Sequence, residues 1–176
     1  MPGMLELAAF VDSLPERIRV ATNECKKQAV LAIEQELTQA TPIDTGAAIS
    51  NWQVSIGAPA DTPIAPHVPS RLGFTDLALH SRSQALRQLG EGHEHSVGLL
   101  GLSAGDGGAA NAQVAMDLAR QVVAEAAEGE TIYIANVLPY IGRLNEDGIS
   151  PQAMPGFVDV AIIAGRSAMD RAKFTP

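Results

Sequence analysis

The sequence has little of several residue types, and each shortage argues against a class of protein. It has one cysteine, Cys25, so no intramolecular disulfide can form and a disulfide-stapled secreted domain is excluded. We expect Cys25 to be a small buried residue of a helix, as is usual for a free cysteine. Aromatic residues make up only 4% of the chain. This predicts a core built from alanine and branched aliphatic residues.

Charge is also sparse, and none of it is concentrated. Charged residues are 18% of the chain, and the net charge of −8 is spread along its length. Proteins that grip nucleic acid through phosphates need clustered Lys and Arg, which are missing here. A mildly negative surface would instead let DNA slide past without sticking. No apolar run approaches the roughly 18 residues of a membrane span, and the first residues lack the pattern of a signal peptide.

The first element is predicted to be a long helix. Ser13 and Glu16 have the spacing of an N-terminal capping box, and Pro42 predicts an end near Ala40. One apolar stripe recurs at spacings of three and four residues: Leu14, Ile18, Ala21, Cys25, Ala29, Ile33 and Leu37. Charged residues, Glu34 among them, are placed on the opposite surface. A rod of roughly 40 Å either packs fully within its own chain or overhangs the core and is covered by a neighbour.

The rest of the chain predicts two short strands and two more helices. The strands are Trp52 to Ile56 and residues 131–135, and the helices are residues 109–127 and a closing helix whose apolar positions include Phe157, Val160, Ile163 and Ala164. Residues 141–156 are predicted to be a loop. An irregular insertion, rich in proline and glycine, covers about 60–107 and includes a possible short helix over 75–89. The 176 residues therefore form a single domain of the α+β class, with a long N-terminal helix and two further helices on a small, mostly antiparallel sheet.

Three local patterns suggest catalysis, and each lacks the residues that the chemistry would need. His93 and His95 could share a metal, but no further ligands are suitably spaced. Ser103 lies in a Gly-x-Ser-x-Gly pattern without a preceding strand. The glycine run 105–108 lacks the lysine of a phosphate-binding loop. We therefore predict no catalytic residues, no metal and no cofactor, and keep a small hydrolase or metal-dependent enzyme using Ser103 or His93 and His95 as a weaker alternative.

Two separated segments resemble a known family. TPIDTGAAISNWQVSIGAP, residues 41–59, is similar to the TPVDTGRLRANW motif of siphophage tail-completion and neck proteins, the minor tail protein Z-like family. The chain has Ala47 where that motif has a basic residue. Residues 131–162 resemble the family's second motif, in which a strand ends in Asn and leads through Pro-Tyr to Pro-Gly-Phe. The matching residues are Pro42, Asp44, Thr45, Gly46, Trp52, Asn136, Pro139, Tyr140, Leu144, Gly148, Ser150, Gln152, Pro155, Gly156 and Phe157.

The resemblance implies a structural virion protein of a tailed bacteriophage. Its members would form a closed ring at the neck or tail top, with a hexamer favoured and a dodecamer possible. The partners would be further copies and other neck, connector and tail-tube proteins, with genomic DNA passing through without specific binding and no membrane involved. The protein would be made in the host cytoplasm and end in the virion. The alternative within the same biology is a tail-assembly chaperone that is absent from the virion.

Most of the matching residues are expected to maintain the fold. Gly46 and Gly148 permit backbone conformations that other residues resist. Tyr140, Gln152 and the loop 145–155 are instead expected to contact neighbouring subunits.

Overall fold

A computed structural model describes residues 3–42, 46–68, 104–147 and 154–172. Within these ranges five helices and two strands follow one another along the chain: α1 (Met4–Ala40), α2 (Ala47–Ser50), β1 (Gln53–Ile56), α3 (Ala104–Glu125), β2 (Ile132–Ala135), α4 (Ile141–Glu146) and α5 (Phe157–Arg171). The two strands pair antiparallel, which confirms the predicted α+β class. The predicted short helix over 75–89 and most of the predicted insertion lie outside the described residues.

Helix α1 ends where the sequence predicts but begins ten residues earlier. The carboxylate of Glu6 accepts the N–H of Gly3 at 3.1 Å, next to the helix start. The predicted cap at Ser13 is wrong, because its hydroxyl lies inside the helix and donates to the carbonyl of Phe10. Pro15 is also inside the helix. It lacks the N–H that would bond the carbonyl four residues earlier, so α1 tolerates an interruption that usually costs about 3 kcal/mol.

Helices α1 and α5 run antiparallel in close contact. At one end Leu37 packs in a cluster with Phe157 and Ala161, and further along Gly165 lies against Ala29 and Ile33. Helix α3 packs on α1 as well. Cys25, predicted to be buried, is only half-buried at the edge of this packing.

The buried faces of the two later helices combine small residues with a few large ones, and some of the predicted large positions are exposed. In α5 the buried residues are Phe157, Ala161 and Gly165, whereas Val160 and Ile163 are exposed. In α3 Leu118 is exposed, and the buried residues are Asn111, Ala115, Met116, Ala119 and Val123. Large aliphatic residues were expected inside because burying them is most favourable. At Gly165, where α5 lies closest to α1, no side chain fits between the two helices.

The structure also differs from the prediction in the loop 141–156 and in the bounds of the helix predicted over 109–127. Residues 141–146, predicted as part of a loop, form α4, whose Leu144 is buried. Helix α3 begins at Ala104, inside the predicted insertion, and ends at Glu125 rather than at residue 127. Its first turns contain glycines, which lower helix propensity without forbidding a helix.

Candidate functional site

The two segments that resemble the phage family lie against each other. Gln53 of β1 pairs with Ala135 of β2, and Ile56 with Ile132, so the two segments share the sheet. Directly after β2, the side-chain amide of Asn136 donates to the carbonyl of Ala48 at 2.9 Å. Segments separated by about 90 positions therefore act as one structural unit.

Trp52 is the centre of this unit. Its indole N–H donates to the hydroxyl of Thr41 at 2.7 Å, and both residues are buried. Its ring meets that of Phe157 edge to face, with centroids 6.4 Å apart and planes at 88°. Leu144 joins the same cluster. Three predicted motif residues, Trp52, Leu144 and Phe157, thus form a shared core, and their role is to hold the fold.

A buried polar cluster centres on Asn111 of α3, which the sequence did not single out. Its Oδ1 accepts the hydroxyl of Ser50 at 2.8 Å and the N–H of Val68 at 2.9 Å. Gly46 lies directly against its side chain in a left-handed conformation, φ +81°. Nearby, Asn51 bonds the carbonyl and the N–H of Ile64. The cluster fixes residues 64–68 onto α2 and α3.

The only sequence signal for this cluster was a single asparagine four residues before the alanines of a helix face. Such a residue is equally consistent with a solvated position, so its role needed the three-dimensional contacts.

Gly156 and Asn145 form the start of α5. Gly156 adopts φ +78° and its N–H donates to the carbonyl of Asn145 at 2.6 Å. The side chain of Asn145 accepts the N–H of Val158 at 2.9 Å, which satisfies one of the free donors at a helix N-terminus.

The remaining predicted motif residues divide between the surface and the undescribed ranges. Tyr140 is 40% exposed, Pro139 and Pro155 are also exposed, and Pro42 is half-buried. Five predicted residues lie outside the described part of the chain: Asp44, Thr45, Gly148, Ser150 and Gln152. The structure therefore gives no contacts for most of the loop expected to reach a neighbour.

Glu34 of α1 is fully buried, although the sequence placed it on the surface. Neither of its carboxylate oxygens has a hydrogen-bond partner. Burial raises the pKa of this carboxyl from 4.5 to about 8, because a charge without a partner is strongly disfavoured away from water. At neutral pH the side chain is therefore a protonated, uncharged acid.

The N-terminal half of α1 presents apolar residues to solvent. Met4 is 89% exposed, and Leu7, Val11 and Ile18 are each more than half exposed. Further along α1, Arg19 forms an ion pair with Glu128, which follows α3, at 3.5 Å. Within the described residues, this exposure fits the overhanging arrangement of the two that the sequence left open.

The residues proposed for the enzymatic alternative, His93, His95 and Ser103, all lie outside the described ranges. Among the residues that the structure does describe, no group of three or more His, Cys, Asp or Glu side chains could hold a metal ion. No described helix is long and apolar enough to span a membrane.

Comparison with known protein families finds no match, and comparisons with curated proteins and with solved structures find none either.

Proposed function

We propose that the protein is a structural virion protein of a tailed bacteriophage, a ring-forming neck or tail-completion subunit. It would join the head connector to the tail and surround the DNA path. The observation that carries this proposal is the meeting of the two segments that resemble that family. If the resemblance extends to the fold, the two segments should lie together. Their pairing through β1 and β2 and the contact of Trp52 with Phe157 support this.

The exposed surface supports a role in assembly. Soluble monomers rarely expose a continuous row of large apolar side chains, whereas subunits of a larger particle cover such a row with a neighbour. Helix α1 carries such a row from Met4 to Ile18, and Met154 in the loop 145–155 and Tyr140 shortly before it are also exposed. We assign these two regions to contacts between subunits or with other neck proteins.

The charge of the chain supports passage of DNA without binding. A net charge of −8 gives the surface a weak repulsion for phosphates, and the sequence has no cluster of cations to offset it. A ring with this composition would not retain the genome as it passes.

Two measurements test the proposal. Native mass spectrometry of the full chain, alone and with connector and tail-tube proteins, should detect a closed ring of six copies or of twelve. A monomer at high concentration that forms no ring with those partners would contradict the proposal. Quantitative mass spectrometry of purified virions should find the protein at ring stoichiometry. Its presence in infected cells but absence from virions would identify an assembly chaperone instead.

A further inference from the structure

The exposed row on α1 has the spacing of a coiled-coil seam. From the helix start its apolar residues alternate at intervals of three and four: Met4, Leu7, Val11, Leu14, Ile18, Ala21 and Cys25. The average interval is therefore 3.5 residues, and a stripe with this period stays on one side of a helix only when it winds around another helix. We call these seven residues the α1 seam. Among the described side chains of its first part, Met4, Leu7, Val11 and Ile18 are exposed and Leu14 is half-buried.

We propose that the α1 seam binds the same seam of a second copy of this chain, as a parallel two-stranded coiled coil. The residue types favour this occupant. The two central first positions of the heptads, Val11 and Ile18, are β-branched, and Leu7 and Leu14 occupy fourth positions. The outer first positions are Met4 and Cys25. This alternation favours two parallel strands over three or four, because each side-chain shape fits the packing geometry of its own layer.

Charge also permits two copies to meet along this line, although each carries −8 overall. Phe10 and Arg17 occupy heptad positions that flank the seam. In a parallel pair in register, Phe10 faces Pro15 of the other copy and Arg17 faces its Thr22. No two like charges are opposed across these positions. The acidic residues between Met4 and Ile18, which are Glu6, Asp12 and Glu16, occupy heptad positions that point away from the seam. Glu24 occupies a flanking position, which faces Ala29 of the other copy.

The area of the seam indicates how strong the pair would be. Covering the side chains from Met4 to Ile18 on both copies removes about 1,000 Å² of apolar surface from water, near the lower limit for a specific interface. We therefore expect a reversible dimer that forms with rising concentration. The pairing stands apart from the proposed virion role, because it needs only this chain. Within a ring it would require an even number of copies.

The affinity test compares two identical changes on the same helix. Val11 lies in the seam and Val20 lies outside it, and each is 53% exposed. Sedimentation equilibrium of the full chain should show a monomer–dimer equilibrium. Val11→Ser should raise its dissociation constant by about tenfold or more, whereas Val20→Ser should leave it within about twofold. Circular dichroism checks that both variants remain folded. A wild-type chain that stays monomeric, or equal effects of the two variants, would overturn the proposal.

The direction of the pair is tested by cross-linking. In a Cys25→Ser background, Leu7→Cys and Leu14→Cys should each form a disulfide dimer under mild oxidation, because a parallel pair in register places each position opposite itself. In an antiparallel pair, at most one of these two positions can lie opposite itself. Val20→Cys serves as the control and should not cross-link. Cross-linking at only one seam position, or equally at Val20, would contradict the parallel arrangement. A ring formed through other contacts would still appear by native mass, so the two proposals can fail separately.

Discussion

A methyl group added at Gly165 of α5 would lie 2.5 Å from Cγ1 of Ile33 of α1. It would also lie 3.3 Å from the backbone carbonyl of Ala29, so it has little room on either side. The two helices therefore approach as closely as a residue without a side chain allows. This contact joins the first long helix to the last one, and it explains why α5 buries a glycine at this position.

Gly165→Ala should destabilise the protein although alanine favours helices. The gain in helix propensity is about 1 kcal/mol, and overpacking against Ile33 should exceed it by about 1–2 kcal/mol. The matched control is Gly142→Ala in α4, where an added methyl group meets nothing within 4 Å. Urea denaturation should show a loss of stability for the first variant and a small gain for the second. A gain for both would show that the α1–α5 contact is looser than described.

Gly46→Ala should cost more than the loss of a left-handed glycine alone. Its methyl group would collide with the side-chain amide of Asn111, whose Cγ would be 2.9 Å away. Gly57 has nearly the same conformation, φ +83° against +81°, but open space around it. Gly57→Ala should therefore show only the backbone strain of about 1–2 kcal/mol, and Gly46→Ala a clearly larger loss of unfolding free energy. Equal losses would mean that the side chain of Asn111 can move away from the added methyl group without lowering the free energy of unfolding.

Thr41→Val should leave the indole N–H of Trp52 buried without an acceptor. Losing the acceptor of a buried donor costs about 1–3 kcal/mol. The effect should shrink when the donor is also removed, so Thr41→Val should be milder in a Trp52→Phe background. A double-mutant cycle measured by urea denaturation gives the coupling directly. Additive effects of the two substitutions would show that this hydrogen bond contributes nothing to stability.

Glu34 should make the stability fall as the pH rises. Its pKa is about 8 in the folded chain, because of burial, and 4.5 is its ordinary value. Between these values the folded chain holds a proton that the unfolded chain has released. The free energy of unfolding therefore decreases through this window, by a few kcal/mol in all, and levels off above about pH 8.

Glu34→Gln should remove this slope, because the amide cannot ionise. Urea midpoints measured across the window should then lose the decline that Glu34 causes. The gain over the wild type should be largest at the alkaline end. Glu36→Gln removes a charge from the same helix and should keep the slope. Parallel pH profiles for the wild type and Glu34→Gln would exclude a buried proton at this position.

The sequence predicted the order of the main elements because their signals are local. The end of α1 before Pro42 and the strand containing Ile132 and Ile134 both follow from neighbouring residues. The motif residues Trp52, Leu144 and Phe157 were also predicted, and the structure brings them together. Their contacts with one another stabilise the fold. The expected contacts of Tyr140 and Gln152 with neighbouring subunits stay predictions.

What the sequence missed depends on neighbours that are distant along the chain. Glu34 has the composition of a surface position, and only the packing of α1 in the folded chain shows that it is buried. Gly165 and Ala161 looked too small to define a core face, yet close helix approach selects them. The start of α1 was placed too late because Ser13 and Pro15 resemble a helix beginning. Both instead occur within a helix that continues through them.

Pro15 divides α1 into two lengths that need not melt together. The carbonyl of Val11 lacks its usual N–H donor there, and the described side chains of the first three turns are almost all exposed. A short isolated helix is marginal in water, so these turns can unfold while the body stays native. Amide hydrogen exchange before residue 15 should be fast in the monomer and slow once a second helix covers it. The exchange rate of these amides therefore reports whether a second helix is bound to the first turns of α1.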